Sequence, residues 1–193
     1  MNYFGSVVMS MCLTLFVTGF SINTSAQSTV SRFTQEEAKI MVNLHNEARS
    51  EVGVGELTWS NELAAYAQEW VDHLAKTDCH LKHRPRSGPW KQKYGENGFA
   101  GAADYHGVTD AAKSWEGEKK YYGHQVLNRS NWSSSGHYTQ MVWRKSTQIG
   151  CGKIECKGQI IIICNYNPPG NVMGEKPWQN FPSYLAHLVV FFA

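Results

Sequence analysis

The stretch Gln159-Ile160-Ile161-Ile162-Ile163-Cys164-Asn165-Tyr166 decides the fold. Four isoleucines in a row cannot alternate between a wet and a dry face, so this strand is buried on both sides, as in the middle layer of a sandwich. Just upstream, Ile149–Ile154 forms a second strand, and Glu155-Cys156-Lys157-Gly158 joins the two. Earlier in the chain the hydrophobic period becomes helical. Thr34-Gln35-Glu36-Glu37 is a capping box, in which the threonine oxygen takes an orphan backbone N–H and Glu37 reaches back. After it Ile40, Met41, Leu44, Ala48 and Val52 share one stripe, with His45, Asn46 and Arg49 off it or along its border. Gly53 and Gly55 end that helix. A second helix starts at Ser60 and buries Leu63, Ala64, Ala67, Trp70, Val71 and Leu74. A third runs from about Thr109 to Tyr121, with Ala111, Ala112, Trp115 and Lys119 on one side. Helices first and a hairpin last make an α+β domain, a three-layer α-β-α sandwich with helices on both faces of a short sheet.

Between these elements the periodicity fades. Cys79 to Gly107 is rich in Gly, Pro, His and Lys and reads as one long connection, the kind of loop that is functional or stapled down. Asn128 to Gly136 reads as a surface loop with glycosylation sequons at Asn128 and Asn131. Tyr138 to Trp143 is β-prone.

The chain has 193 residues, room for one domain with a substantial core. Eighteen basic against sixteen acidic residues leave a net charge of +2, which offers no polyanion-binding stripe and sets nucleic acid aside as a partner. No charged side chain precedes Arg32, and Val7 to Val17 is an apolar run followed by small and polar residues ending Thr24-Ser25-Ala26. This is the pattern of a cleavable secretory signal over residues 1–26. Eleven apolar residues fall short of the ~30 Å of hydrocarbon a membrane anchor must cross. Beyond the signal stand Cys79, Cys151, Cys156 and Cys164, an even number that in an exported chain implies two disulfides, with three possible connectivities. A zinc site is the competing use, but only Cys151 and Cys156 approach metal-ligand spacing.

Two stretches are too particular to be composition. They are Gly136-His137-Tyr138-Thr139-Gln140-Met141-Val142-Trp143-Arg144-Lys145-Ser146-Thr147 and Ile162-Ile163-Cys164-Asn165-Tyr166-Asn167-Pro168-Pro169-Gly170-Asn171. Together they resemble the signature motifs of the CAP superfamily, the cysteine-rich secretory, antigen 5 and pathogenesis-related 1 proteins. His45-Asn46-Glu47-Ala48-Arg49 and Gly95-Glu96-Asn97 match two weaker family motifs. Trp115-Glu116-Gly117-Glu118-Lys119-Lys120-Tyr121-Tyr122 looks most like the plant branch. The resemblance covers residues 33–178, leaving 179–193 as a C-terminal extension whose apolar end, Tyr184 to Ala193, is too short to span a bilayer.

The resemblance implies the same α-β-α sandwich and a cleft lined by two histidines and two acids. Carried over residue by residue, these are His83, Glu96, Glu118 and His137, with Glu116 the off-register neighbour of Glu118. It also implies the pairings Cys151–Cys164 and Cys79–Cys156. Two imidazoles and two carboxylates can hold a divalent ion or act as acid/base pairs. The expected metal is zinc, bound weakly through His83 and His137 with Glu96 and Glu118 in support. His45, Trp143 and Tyr166 are read as structural. Departures from the family pattern are Arg84 after His83, with Arg86 nearby, which would oppose a cation; Gly98 where an aliphatic residue is common, which would loosen the segment after Glu96; and serines and asparagines where plant relatives carry an extra cysteine pair. The function implied is a secreted, monomeric, non-catalytic module that binds a lipid, a sterol or an extracellular protein. No motif specifies a nucleophilic Ser or Cys, so a metal-dependent hydrolase using the same four residues stands as the alternative. A third reading is a peptide precursor cut after Asn167.

Overall fold

The computed structural model describes Met1 and residues 31–179. Residues 2–26 of the expected secretory signal, and 180–193 of the expected C-terminal extension, lie outside the described residues. Four α-helices and four strands follow in the order α1 (Gln35–Glu51), β1 (Thr58–Trp59), α2 (Asn61–Thr77), β2 (Gly95–Ala102), α3 (Val108–Glu116), a 3₁₀ turn (Gly117–Tyr121), α4 (Arg129–Met141), β3 (Gln148–Cys156) and β4 (Gln159–Asn167).

The isoleucine strand is β4, and it lies inside the sheet, whose order is β1-β3-β4-β2. It pairs antiparallel with β3 on one side and β2 on the other. Alternation then divides its side chains between two cores. Ile160, Ile162, Cys164 and Tyr166 pack with residues of α1, α3 and α4, whereas Ile161 and Ile163 pack with Ala67, Trp70, Val71 and Leu74 of α2. The β3–β4 turn is tighter than the four residues read from the sequence. Lys157 (φ 50°) and Gly158 (φ 74°) both adopt the left-handed conformation that a two-residue hairpin requires. On the α2 face Gly150 and Gly152 let the helix backbone settle directly on β3. A Cβ at Gly150 would lie 2.3 Å from the Ala64 nitrogen, and one at Gly152 2.4 Å from that of Gln68.

Both disulfides join the expected partners. Cys151 and Cys164 are directly opposed across β3 and β4, and Cys79–Cys156 ties the end of α2 to the end of β3.

The structure revises several readings. The residues 128–141, split in the sequence between a loop and a β-prone segment, form one helix. Serine and asparagine are weak helix formers, but both ends of α4 are capped. Asn128 accepts the N–H groups of Ser130 and Asn131, and Asn131 reaches back to the Asn128 N–H. At the far end the Arg49 guanidinium donates to the carbonyls of Met141, Trp143 and Ser146 at 2.9–3.0 Å. A cation there also suits the negative end of the helix dipole. His45 and Arg49 are thus fully buried rather than bordering the apolar stripe. The connection 79–107 contains β2, whose glycines carry little strand preference and whose hydrogen bonds come from β4. The third helix tightens to 3₁₀ at Gly117 and leaves Lys119 exposed, paired with Glu51.

Candidate functional site

Each of the four residues expected in the cleft comes from a different segment, and His83, Glu96 and His137 line it while Glu118 does not. His83 lies in the connection after α2, Glu96 on β2, Glu118 on the 3₁₀ turn and His137 on α4. They form two His–Glu pairs. His83 Nδ1 donates to Glu96 Oε1 at 2.8 Å, and His137 Nδ1 donates to Glu118 Oε1 at 2.6 Å.

The carboxylates are anchored more firmly than the imidazoles. Glu96, whose carboxylate is fully buried, also accepts the Arg84 N–H at 3.0 Å and Asn165 Nδ2 at 3.2 Å. Glu118 Oε2 accepts the His137 N–H at 2.8 Å and that of Tyr138 at 3.3 Å. A ring nitrogen that faces a carboxylate carries the proton, so in each neutral imidazole the lone pair sits on Nε2. Neither Nε2 makes a hydrogen bond among the described residues. This is the arrangement by which carboxylates orient metal-binding or base imidazoles.

Behind the cleft runs a buried polar chain that the sequence did not reveal. His45 Nδ1 donates to the Met41 carbonyl, so Nε2 accepts from the Tyr166 hydroxyl at 2.8 Å. Tyr166 in turn accepts Asn97 Nδ2, which also donates to the His137 carbonyl at 3.0 Å. Burial holds the His45 pKa down to about 4, the Arg49 charge adds to that, and the bond to Met41 opposes it. Burial likewise keeps the Tyr166 hydroxyl protonated far above its ordinary range. His45 is therefore neutral and structural, outside the cleft. Asn97 and Asn165 lay within recognised motifs, but letters alone could not tell that their amides brace His137 and Glu96.

The cleft holds about 270 Å³ and is lined by His83, Glu96, Asn97, Trp132, His137 and Arg86, among others. A neighbouring hollow of about 530 Å³ shares Arg86, Gln92, Glu96, Trp132, Ser133 and Asn171 with it. Both arginines expected beside the cleft are among the residues that line it. The Arg84 guanidinium, however, is held in the wall, 3.8 Å from the centre of the Tyr66 ring and 5.4 Å from those of both Trp70 and Trp90. There it donates to the Tyr66 carbonyl and to Glu69. Nor is the segment after Glu96 loose. Gly98 is buried, receives Leu81 where a Cβ would stand 2.9 Å from Cδ1, and accepts the Trp115 indole N–H. Among the described residues no group of three or more His, Cys, Asp and Glu could hold a metal ion.

Comparison with known proteins agrees with this architecture. The family model of the CAP, cysteine-rich secretory protein family, matches residues 42–166. Pathogenesis-related protein 1B of Nicotiana tabacum is 41% identical over 149 residues, covering 77% of this chain and 84% of that protein. Pathogenesis-related protein 1 of Arabidopsis thaliana is 44% identical over 145 residues, covering 75% and 84%. Among solved structures, BmVAL-1 superposes with a TM-score of 0.67 at 28% identity, over 78% of this chain and 85% of that one. The crystal structure of NaASP2 with Zn2+ gives 0.66 at 24% identity, over 80% and 90%, and speaks to the fold alone.

Proposed function

This chain belongs to the CAP, or cysteine-rich secretory protein, family, and on that premise we propose that it is a secreted, non-catalytic binding module of the defence type. Its cleft takes an extracellular ligand and holds a divalent ion weakly through His83 and His137. The observation that carries this reading is the orientation of the two imidazoles. Each spends Nδ1 on a carboxylate and leaves Nε2 without a hydrogen-bond partner among the described residues, and both histidines line the cleft. Such a donor set suits zinc, but two protein ligands fall short of the three typical of catalytic zinc, so affinity is low. A bound ion would supply positive charge and exchangeable positions to a ligand's oxygen atoms.

The hydrolase alternative has no side-chain nucleophile set beside an imidazole, so its attacking group would be a water on the metal. Ser133 borders the cleft, yet among the described residues neither imidazole Nε2 holds a hydroxyl, and all four cysteines there are in disulfides. For a lipid or sterol, the fold offers a separate hollow of about 700 Å³ lined by Phe33, Ala38, Val42, Trp59 and Ala64, with Lys39 beside it. That size and lining suit a small apolar ligand. Export is consistent with the disulfides and with the N-terminal pattern. Among the described residues no helix is long and apolar enough to cross a membrane.

Native mass spectrometry of the exported protein tests the binding reading through co-purifying zinc or lipid. Calorimetry of metal-free protein at pH 7.5 tests the donors. The parent should bind zinc and the His83→Ala and His137→Ala variants should not. Equal binding by all three, or none by the parent, removes the metal from the proposal. Peptide turnover abolished by Glu118→Gln would replace the binding reading with the hydrolase.

A further inference from the structure

We infer that the exported chain carries an N-linked oligosaccharide on Asn128 and none on Asn131, at the start of α4 and next to residues of the hollow that adjoins the His–Glu cleft. The sequons Asn128-Arg129-Ser130 and Asn131-Trp132-Ser133 stand side by side. Three residues are less than one helical turn, and the two asparagines meet in the capping box that opens α4. Two bulky glycans on that turn would collide, so the site has room for one.

The fold distinguishes the two asparagines. Asn128 is exposed and its backbone is extended, with φ −142° and ψ 175°. Its Oδ1 accepts the N–H of Ser130 at 2.8 Å, the N–H of Asn131 at 3.2 Å and the Ser130 hydroxyl at 2.5 Å. Three donors fix the direction of the amide, so Nδ2 points away from the helix and makes no hydrogen bond among the described residues. Glycosylation spares the side-chain carbonyl, and the cap survives it intact. Asn131 presents the opposite case. It is half-buried, its Oδ1 accepts the Asn128 N–H at 2.9 Å, and its Nδ2 donates to the Val126 carbonyl at 3.0 Å. A sugar on that nitrogen would take the place of this contact beside the Val126–Leu127 segment, in which Val126 is exposed and Leu127 is buried in the core.

The donor is a lipid-diphosphate-linked oligosaccharide of the secretory lumen. A bond forms between Asn128 Nδ2 and the anomeric carbon, the carbon's bond to the diphosphate oxygen breaks, the lipid diphosphate leaves, and Nδ2 gives up one proton to a base. Arg129 and Trp132, the neighbours of Asn128 on the first turn of α4, both line the hollow beside the cleft. An oligosaccharide on Asn128 is therefore attached next to two residues of that hollow.

The inference rests on the proposed export, and the test separates the two. The full chain is expressed in a eukaryotic secretion host with its own N-terminus and, in parallel, behind an established leader. Secreted protein is digested with a peptide N-glycosidase in ¹⁸O-labelled water and mapped. Labelled aspartate at position 128 is expected, with the glycan lost in Asn128→Gln and Ser130→Ala and kept in Asn131→Gln and Ser133→Ala. Ser130→Ala removes the sequon while leaving the asparagine cap, so a folding defect cannot mimic the result. Glycan at position 128 only behind the foreign leader upholds the site and overturns the export reading. Secreted protein without glycan, or with glycan at position 131, overturns the inference.

Discussion

Glu118 holds both the backbone and the ring of His137: Oε2 accepts its N–H at 2.8 Å and Oε1 meets Nδ1 at 2.6 Å. One carboxylate on a short 3₁₀ turn thus sets the position of the residue and the direction of its open nitrogen. Glu118→Gln should keep the fold, since an amide oxygen can still accept the N–H. It removes the negative charge that strengthens the imidazole as a ligand. Zinc affinity should fall about 10- to 100-fold, the usual loss for such outer partners, while the thermal midpoint moves little. Calorimetry and thermal unfolding on the same samples read both quantities, and unchanged affinity would remove Glu118 from the proposed site.

His45 makes the domain sensitive to mild acid. Its pKa is about 4 in the fold against an ordinary 6.5, because burial opposes the charge. Between those values the unfolded chain takes up a proton that the folded chain refuses. Stability is therefore present in full above pH 6.5 and is lost as the pH falls toward 4, by up to about 3 kcal/mol. About 2 kcal/mol of that loss falls between pH 6.5 and 5, above the range of ordinary carboxylates. Urea unfolding at pH 5 and 7.5 should show it, and His45→Gln should flatten the difference.

Arg49 is a buried cation without a carboxylate partner among the described residues. Its charge is distributed over the carbonyls of Gly55, Met141, Trp143 and Ser146. Arg49→Met would leave several buried acceptors without donors, at a cost of about 3–5 kcal/mol. Arg49→Lys keeps the charge, but a single ammonium cannot span the same four oxygens, so it should still cost about 2 kcal/mol. Urea midpoints decide, and a lysine variant as stable as the parent would show that charge alone suffices.

The two disulfides differ in access. Cys151 and Cys164 are fully buried, whereas Cys156 is half-exposed at the end of β3. Graded reductant followed by alkylation and peptide mapping should open Cys79–Cys156 first. Removing that pair by Cys79→Ala and Cys156→Ala should cost about 4–5 kcal/mol in the chain-entropy model, against about 3 for Cys151–Cys164. The bridges span 77 and 13 residues respectively.

The capping box at Thr34, the apolar stripe of α2 and the doubly buried β4 were legible because each is a local pattern with one physical meaning. Thr34 and Glu37 satisfy each other within four residues, and Leu63, Ala64, Ala67, Trp70, Val71 and Leu74 follow a single period. Four consecutive isoleucines have no arrangement in a small sheet except between two layers. From those patterns the α-β-α layering follows.

The remainder depended on partners distant in sequence. The run of serines near Ser133 has weak helix preference, and α4 forms because its own capping box at Asn128 and Asn131 is joined by Glu118, Asn171 and Arg49, which satisfy its sides and far end from three other segments. β2 is a strand because β4 supplies its hydrogen bonds. Arg84 reads as a cleft cation until Tyr66, Trp70 and Trp90 enclose it, and His45 as a border residue until Tyr166 accounts for its second nitrogen. Periodicity records which face of an element is apolar. Where a polar group finds its partner is decided by how the layers bring separate segments within 3 Å, and only the tertiary structure contains that distance.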